Sequence, residues 1–392
     1  MIWRRLMFRT TVIAITGSAG KSTTTALLGE ILSQQYSTNW IPGARNNHSN
    51  LVETLLRTRW RHRYTVLELG TREPGTLRRL AWLVAPDIVI VTCVLHFHSN
   101  RFPTIEDVAA EKLALPASVG SGGAAILNLD DARVSAMAKL CRGQIRTFGK
   151  SQEAFLRVAS VQSIWPERLS LIANHGQESV SIQTQLIGEH MAAPVAAALA
   201  AAIHCGVPLR EAAQVVALTE PVNGRLRPMK IPSGAVVWRD DHCSSLPTLE
   251  VALQALSVAK ASRKIAIVGD VIDSQMSHKT RKRFVARIVA EVADFGIFMG
   301  KDFGPLAQRE AAKFGMPPER SQALSGWPEL AEWLRSQSRP GDVILLHCWM
   351  KHHLERAVLA QFGEIGCYLP DCEIVARCED CEKLGLVQIQ AS

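Results

Sequence analysis

The sequence has few of the features that mark membrane, secreted or nucleic-acid-binding proteins. Its longest apolar run, residues 191–203, is shorter than the roughly 20 residues of a membrane span and contains Pro194. Nine cysteines are too few for a disulfide scaffold, and the N-terminal residues do not resemble a signal peptide. Three tyrosines and the lack of a dense lysine or arginine run disfavour nucleic-acid binding. We therefore expect a cytoplasmic protein with reduced thiols, no membrane segment and no nucleic-acid partner.

The composition is that of a folded protein with an anionic partner. Hydrophobic residues make up 47% of the chain and charged residues 20%, which excludes a disordered chain and a coiled coil. Lysine and arginine number 44 against 36 acidic residues, so the net charge is +8. This charge favours a nucleotide or a carboxylated substrate. The 392 residues predict two or three domains at about 150 residues each.

Short β-branched runs alternate with amphipathic stretches, a pattern typical of α/β proteins with parallel sheets. In the first half we predict strands at 11–16, 64–69, 88–92 and 123–129, helices at 21–34 and 191–204, and an antiparallel flank within 160–186. In the second half we predict strands at 235–239, 264–268, 295–299 and 342–346. A Pro/Gly-containing stretch at 221–224 marks the boundary. We expect a first domain over 1–221 and a Rossmann-like C-terminal domain over 222–392, with a cysteine-containing tail.

Residues 16–23, TGSAGKST, lie between a predicted strand and a predicted helix. The glycines allow a tight turn whose N–H groups face phosphate oxygens, and the helix adds its positive N-terminal dipole. Lys21 can reach the terminal phosphates, and the Ser22 hydroxyl can ligate Mg²⁺. A glycine-rich turn with a coincidental GKST is the alternative, but its context favours a central P-loop-type ATPase domain. The predicted nucleotide contacts are Gly17, Ser18, Ala19, Gly20, Lys21, Ser22 and Thr23.

Further motifs follow the loop in a characteristic order. They are Asn46-Asn47, Glu68-Leu69-Gly70, Pro74-Gly75, Pro86-Asp87, Thr92, His98, Lys112, NLDD at 128–131, IGEH at 187–190, GRL at 224–226 and Asp240-Asp241. Together these motifs resemble the Mur ligase family, and most closely its MurF type, over residues 12–358. The resemblance implies an ATP-dependent ligase that joins a small-molecule or peptide carboxylate to an amine. The carboxylate would attack the γ-phosphate to give an acyl phosphate and ADP, and the amine would then displace phosphate.

The resemblance also implies a set of metal ligands. Glu68 and Ser22 would hold one Mg²⁺, and His98 would ligate a second. Lys112 matches a lysine that carries a carbamate in many members, which would convert a cation into an oxygen ligand. His96 is an alternative to His98, or both would flank the metal. Read singly, a glutamate such as Glu68 at a strand end is usually a solvated cap, and a lone histidine such as His98 is usually a surface or core residue. An exposed helix lysine is the alternative for Lys112.

Three further residues receive nucleotide roles from the resemblance. Asn128 would approach the adenine, and Arg225 would reach the γ-phosphate from the domain junction. Asp241 would fix the nucleotide from the C-terminal domain. Catalysis itself would then rest on Lys21, Lys112, His98 and Arg225.

The chain also departs from the family pattern where the family binds its substrates. The phosphate loop starts within twenty residues of Met1, so we expect the N-terminal UDP-substrate domain to be missing. A Lys-Gly-Ser-Arg segment that faces the amine substrate is replaced by His347, Cys348, Trp349 and Met350. Pro194 stands where the family has Asn. We therefore expect an unusual second substrate, and a partner protein that presents substrate stays open.

Two other functions stay open from the sequence. One is a nucleotide-binding pseudo-ligase that serves as a scaffold or partner subunit, which the altered amine segment suggests. The other is a kinase or ATPase of another P-loop lineage, which is disfavoured because the resemblance continues beyond the loop. Assembly of Glu68, His98 and Lys112 in one metal site would favour the ligase.

Cys367, Cys372, Cys378 and Cys381 fall within fifteen residues near the C-terminus. Four thiolates can form a structural zinc site. However, only one CxxC pair is present and the other gaps are short and irregular, whereas zinc ribbons have two such pairs. The sequence therefore favours reduced structural or surface thiols, with Zn²⁺ as the alternative.

Overall fold

A computed structural model of the chain describes residues 7–42, 48–71, 73–96, 101–242, 244–271, 276–369, 372 and 377–385. The chain divides into two compact units. The first comprises Met1–Ser163 and Arg168–Val222, and the second comprises Ile164–Glu167 and Asn223–Ser392. Four residues of the first half of the chain therefore belong to the second unit.

The first unit is built on a sheet that is parallel across most of its width. Its strands are β1 (Thr11–Thr16), β2 (Thr38–Asn39), β3 (Tyr64–Glu68), β4 (Ile88–Val91), β5 (Ala124–Asn128), β6 (Gln144–Gly149), β7 (Leu156–Gln162), β8 (Ser170–His175) and β9 (Glu178–Gln183). They lie in the order β2-β3-β1-β4-β5-β6-β7-β8-β9. Neighbours are parallel from β2 to β7, and β7, β8 and β9 pair antiparallel. The predicted antiparallel flank is confirmed.

Helices cover both faces of this sheet. They are α1 (Lys21–Gln35), α2 (His48–Arg57), α3 (Thr76–Val84), α4 (Ile105–Leu113), α5 (Ala132–Ala136), α6 (Ala192–His204) and α7 (Leu209–Leu218). Successive side chains of a strand point to opposite faces, so Ile13 and Ile15 join the core on one side while Val12 and Ala14 join the other. Strands buried on both faces read as continuous apolar runs, which is why the sequence predicted them.

Helix α6 is apolar around its whole circumference. Its alanines are buried between the sheet and α1, where small side chains permit close approach of the two helices. The helix has 13 residues. Among the residues that the structure describes, no helix combines the length and apolarity needed to cross a membrane.

The second unit has a smaller, Rossmann-like sheet. Its strands are β10 (Arg227–Lys230), β11 (Val236–Asp240), β12 (Arg263–Val268), β13 (Phe295–Met299), β14 (Ser321–Leu324) and β15 (Asp342–His347). They lie in the order β10-β11-β15-β12-β13-β14, and only β10 runs antiparallel to its neighbour. Strand β15 therefore enters between β11 and β12, and ligands of open α/β sheets bind at the carboxyl ends where the strand order reverses.

Helices α8 (Leu246–Ser257), α9 (His278–Val292), α10 (Gly304–Ala312), α11 (Trp327–Gln337) and α12 (Glu355–Leu359) belong to this second unit. The segment Ile164–Glu167 packs on it through Trp165, whose ring centroid lies 5.6 Å from that of Trp238. The Trp165 carbonyl also accepts a hydrogen bond from the backbone N–H of Lys260 at 2.9 Å. These two contacts hold Ile164–Glu167 against the rest of the second unit.

Candidate functional site

The loop between β1 and α1 has the backbone of a phosphate-binding turn. Gly17 and Gly20 have φ angles of +147° and +80°, which L-residues with a side chain rarely adopt. A Cβ atom on Gly17 would lie 1.8 Å from the Thr92 hydroxyl oxygen. Helix α1 begins directly after Gly20, and no side chain caps its N-terminus. The helix therefore presents backbone N–H groups and its positive dipole end at the loop.

The segment that follows β4 braces this loop. The Thr92 hydroxyl donates to the Ala19 carbonyl at 2.5 Å, and the Ser18 N–H donates to the Cys93 carbonyl at 2.8 Å. The Ser18 hydroxyl donates to the Leu95 carbonyl at 3.0 Å and accepts from the Leu95 N–H at 2.9 Å. The Ser18 side chain is therefore committed to the scaffold, so the loop can offer phosphate only its backbone at that position.

The first residues of α1 provide a cation and a hydroxyl. The Lys21 ammonium folds back over the loop and donates to the carbonyls of Gly17 at 2.9 Å and Ser18 at 3.3 Å. Ser22 is buried, and its hydroxyl has no hydrogen-bond partner among the described residues. Such an unsatisfied buried oxygen fits the ligand set of Mg²⁺, which prefers hard oxygen donors.

The N-terminal end of α6 lies beside the same loop. A Cβ atom on Gly20 would lie 2.9 Å from the Pro194 ring. The Thr23 hydroxyl is 4.0 Å from the Met191 sulfur, and the Thr24 hydroxyl donates to the Pro194 carbonyl at 3.5 Å. Pro194, which departs from the family pattern, therefore contacts the back of the phosphate loop.

Lys112 is a buried lysine near this cluster, with 3% of its surface exposed. Burial and the neighbouring Lys21 charge lower its pKa to about 7, against the smaller opposing effects of Cys93 and Glu111. The predicted alternative of an exposed helix lysine is therefore wrong. At neutral pH a large fraction of the Lys112 side chain is an uncharged amine.

Glu111 neighbours Lys112, and Glu68 lies at a strand end of the same unit. The Glu111 carboxylate accepts hydrogen bonds from the N–H groups of Gly75 at 2.6 Å and Leu77 at 2.7 Å, so it holds the turn before α3. Glu68 is half-buried at the carboxyl end of β3, next to β1 and the phosphate loop. The position at a parallel-strand end is one where ligands of α/β sheets bind.

The two predicted histidine ligands differ in what can be described. His98 lies outside the described residues. His96 is half-buried, and its Nε2 atom is 3.1 Å from the Phe102 carbonyl oxygen. Asn46 and Asn47 of the family pattern also lie outside the described residues.

Asn128 is placed behind the phosphate loop. Its side-chain N–H donates to the Thr92 carbonyl at 2.8 Å, and its side-chain oxygen accepts from the Asp130 N–H at 3.0 Å. Asp131 accepts from the Val94 N–H at 2.7 Å. These bonds tie the end of β5 to the segment that braces the loop.

The second unit carries a separate group of charged residues at its strand ends. The Asp240 carboxylate lies 2.7 Å from His347 Nδ1, which joins the ends of β11 and β15. Asp241 is buried and accepts a hydrogen bond from Arg239 at 2.7 Å. Arg225 is half-buried and belongs to this same unit. After His347, Cys348 is buried, and Trp349 precedes a 3₁₀ turn at Met350–His352.

Sequence reasoning missed several residues of these groups. The Cys93 sulfur accepts a hydrogen bond from the Ala19 N–H at 3.4 Å. In the second unit, a guanidinium nitrogen of Arg377 lies 3.8 Å from Asp241. A Cβ atom on Gly224 would lie 2.1 Å from the Arg377 guanidinium, so Arg377 occupies the space beside the GRL motif. Thr92 could be found in the sequence through the family motif, whereas no sequence pattern indicated Arg377.

Comparison with known proteins gives one consistent result. The Mur ligase middle domain model matches residues 15–202. The chain is 28% identical over 360 residues to the UDP-N-acetylmuramoyl-tripeptide--D-alanyl-D-alanine ligase of Mycobacterium tuberculosis, covering 86% of this chain and 70% of that protein. It is similar to a crystal structure of MurF from Acinetobacter baumannii, with TM-score 0.81, 22% identity and coverage of 92% and 78%. It is similar also to Thermotoga maritima MurF ligase in complex with ADP, with TM-score 0.75, 19% identity and coverage of 92% and 82%.

Proposed function

We propose that this chain is an ATP-dependent amide-bond ligase of the Mur ligase type, and that its first unit binds MgATP at the loop between β1 and α1. The loop N–H groups and Lys21 would hold the β- and γ-phosphates. Ser22 and Glu68 would hold Mg²⁺, which supplies charge neutralisation at the transferring phosphoryl group. The observation that carries this proposal is the buried, unsatisfied Ser22 hydroxyl beside a glycine loop with phosphate-binding geometry.

We propose that Lys112 becomes a carbamate. The uncharged amine attacks CO₂ and releases one proton, which converts the neutral side chain to a carboxylate-like anion. The lowered pKa of Lys112 supports this step, because the attacking form is present at neutral pH. The product would add oxygen atoms for a metal and would place a negative charge near Lys21. His98 is proposed as a further ligand on the family resemblance alone.

The proposed reaction forms an amide through an acyl phosphate. A carboxylate oxygen of the first substrate attacks the γ-phosphorus, and the bond to ADP breaks. The amine then attacks the acyl carbon, phosphate leaves, and the amine loses a proton. Lys21 would stabilise charge on the phosphoryl oxygens, and Arg225 is proposed for the same role.

Asn128 and Asp241 act as positioning residues in this proposal. Asn128 uses its amide atoms to hold the Thr92 carbonyl and the Asp130 N–H, so it would support the nucleotide site from behind. Asp241 accepts a hydrogen bond from Arg239 and would orient that guanidinium.

We propose that the amine substrate differs from the D-alanyl-D-alanine named for the Mycobacterium tuberculosis relative. The last residue of β15 and the three that follow it read His347, Cys348, Trp349 and Met350, where the family pattern has a lysine and an arginine. Two of these residues, His347 and Cys348, are buried. The segment therefore lacks the two cations that would pair with a dipeptide carboxylate, which favours an amine without a free carboxylate.

A hydroxylamine trap tests the ligase half-reaction without knowledge of the amine. The chain, MgATP and a panel of carboxylates, including muramyl peptides, are incubated with hydroxylamine, and hydroxamates are read by mass spectrometry. We expect an ATP-dependent hydroxamate from a peptide-like acid. Lys21→Ala and Glu68→Ala should each lower its rate about 100-fold or more.

Lys139→Ala is the matched control, because Lys139 is exposed and distant in sequence from the loop. Full hydroxamate formation by Lys21→Ala would contradict the assigned phosphate site. MgATP binding with no hydroxamate from any acid would instead favour the scaffold function. If D-alanyl-D-alanine proved the best amine in a subsequent panel, the proposed substrate difference would be wrong.

A further inference from the structure

A cavity in the second unit is lined by all four cysteines of the C-terminal tail. They are Cys367, Cys372, Cys378 and Cys381, and each is a free thiol. Cys367 and Cys378 are buried, and the other two are half-buried. Although the sequence favoured unconnected thiols, the fold collects them around one space.

Two chain segments are hydrogen-bonded together to make this cavity. The Gly366 N–H donates to the Leu384 carbonyl at 2.8 Å, which places Cys367 beside the segment with the CxxC pair. Arg356 donates to the Leu369 carbonyl at 2.7 Å and so holds the chain that leads to Cys372. One backbone and one side-chain hydrogen bond therefore hold together the segments that line the cavity.

The CxxC pair forms a tight turn. Residues Cys378–Asp380 form a 3₁₀ helix, and the Cys381 N–H donates to the Cys378 carbonyl at 3.1 Å. Both residues of the pair line the same cavity. A turn that directs two thiols to one side is half of a tetrahedral thiolate site, and Cys367 and Cys372 provide the other half.

Two cationic side chains lie at this cavity, Arg356 and Lys383. The Arg356 Nε–H donates to the Cys378 sulfur at 3.0 Å, and Lys383 also lines the cavity. Four thiolates around a divalent ion carry a net charge of −2, which two adjacent cations offset. N–H donors to metal-bound sulfur orient the ligand and are typical of such outer contacts.

We propose that the four cysteines bind one Zn²⁺. Soft thiolates select zinc over the hard cations of the nucleotide site, and a closed set of four protein ligands is the structural form of zinc binding. The proposal is independent of the ligase reaction.

His353 provides a competing arrangement. Its Nδ1 atom lies 3.2 Å from the Cys378 sulfur, and the ligand atoms of His353, Glu355 and Cys378 lie within 4.8 Å of one another. However, Glu355 already accepts from the Cys378 N–H at 3.3 Å and lies 3.3 Å from His353 Nδ1. We therefore assign His353 and Glu355 to support of the turn and the thiols to the metal.

The metal would fasten one particular stretch of the tail. Arg377 and Glu379 flank Cys378, and they form ion pairs with Asp241 and Arg239 at the end of β11. Zinc would thus hold these two charged side chains against the strand end that carries Asp241.

The metal content of the full-length chain, purified without chelator, is measured by mass spectrometry. Release of the metal by a thiol-blocking reagent is the second readout. We expect one zinc per chain. Cys372→Ser and Cys381→Ser should each lose at least ten-fold in zinc affinity, whereas Cys141→Ser and Cys205→Ser should retain the metal. His353→Gln should retain it as well.

Three results would overturn the assignment. The first is a chain that holds no zinc as purified and binds none when Zn²⁺ is added. The second is iron in place of zinc. The third is loss of metal from His353→Gln with retention in Cys372→Ser, which would assign the metal to His353, Glu355 and Cys378 instead.

Should the cysteine variants fail to fold, cobalt replacement in the unaltered chain decides the question. Tetrahedral Co²⁺ with strong thiolate charge-transfer bands supports the four-cysteine site. Weak charge transfer, as expected for a single thiolate, overturns it.

Discussion

The two glycines of the phosphate loop are required for different physical reasons. Gly17 leaves no room for a side chain, since a Cβ atom would overlap the Thr92 hydroxyl. Gly20 faces a proline ring at a tighter than usual distance and also adopts a left-handed backbone at the start of α1. Steric exclusion therefore dominates at Gly17, and backbone strain contributes at both positions.

Gly17→Ala should abolish tight nucleotide binding. The added methyl group must displace Thr92, whose hydroxyl fixes the Ala19 carbonyl, and strain at positive φ adds about 1–3 kcal/mol. We expect the affinity for MgATP to fall at least ten-fold, measured by calorimetry. Gly122→Ala is the control, because nothing lies within 4 Å of its added Cβ and its φ is not positive. Equal affinities in the two variants would contradict the steric account.

Lys112 should make stability depend on pH in an unusual direction. Its pKa is about 7 in the folded chain against 10.5 in the unfolded chain, so between these values the unfolded chain binds more protons. Stability should therefore rise with pH across that window, by up to about 1.4 kcal/mol per pH unit. Below pH 7 Lys112 is protonated in both the folded and the unfolded chain, so burial of its ammonium group lowers the stability by its full amount.

Urea unfolding between pH 7 and 9.5, in buffer free of CO₂, measures this effect. Lys112→Met should remove most of the slope, because methionine fills similar space and does not titrate. Lys139→Met is the control, because Lys139 is exposed. A slope that survives in Lys112→Met would show that another group is responsible.

At the scale of elements, α6 depends on small side chains. Ala198 is fully buried in the core between α6 and the sheet. Ala198→Leu should lower the free energy of unfolding by about 1–3 kcal/mol, because a close-packed interior has no space for three further carbon atoms. Leu218→Ala changes an exposed side chain at the end of α7 and should cost less than about 0.5 kcal/mol. Denaturant midpoints compare the two.

The same scale explains what the sequence could predict. Strands β1, β4 and β15 are apolar and buried, so their sequences predicted them. Strands β10 and β14 were missed, because Arg227–Lys230 and Ser321–Leu324 contain no β-branched residue. These two strands form at the edges of the sheet by pairing with a neighbour, and that pairing is set by the tertiary fold.

The candidate site divides in the same way. Consecutive residues encode the phosphate loop, so Gly17, Gly20, Lys21 and Ser22 could be found in the sequence. The Ala19–Cys93 hydrogen bond and the Asp240–His347 pair join residues that are 74 and 107 positions apart. No pattern of neighbouring residues in the sequence indicates such pairs. The tail cysteines were visible in the sequence, but their common cavity depends on contacts of Arg356 and Leu384.

At the scale of the whole molecule, the units are not continuous in sequence. If residues 1–222 and 223–392 are expressed as separate chains in one cell, the first chain still carries Trp165, which packs on Trp238. We expect the two chains to purify together. Trp165→Ala should lower the recovered complex several-fold, whereas Trp60→Ala, at an exposed position, should not. Equal recovery would show that Trp165 does not contribute to the association.

The displaced segment Ile164–Glu167 also limits where this chain can be recombined with a related protein. A chimera joined at Val222 would combine Trp165 of this chain with a second half taken from another protein. The partners of Trp165, which in this chain are the Trp238 ring and the Lys260 N–H, would then come from the other protein. A chimera that keeps these contacts must exchange residues 164–167 together with residues 223–392. A single crossover at Val222 cannot do this.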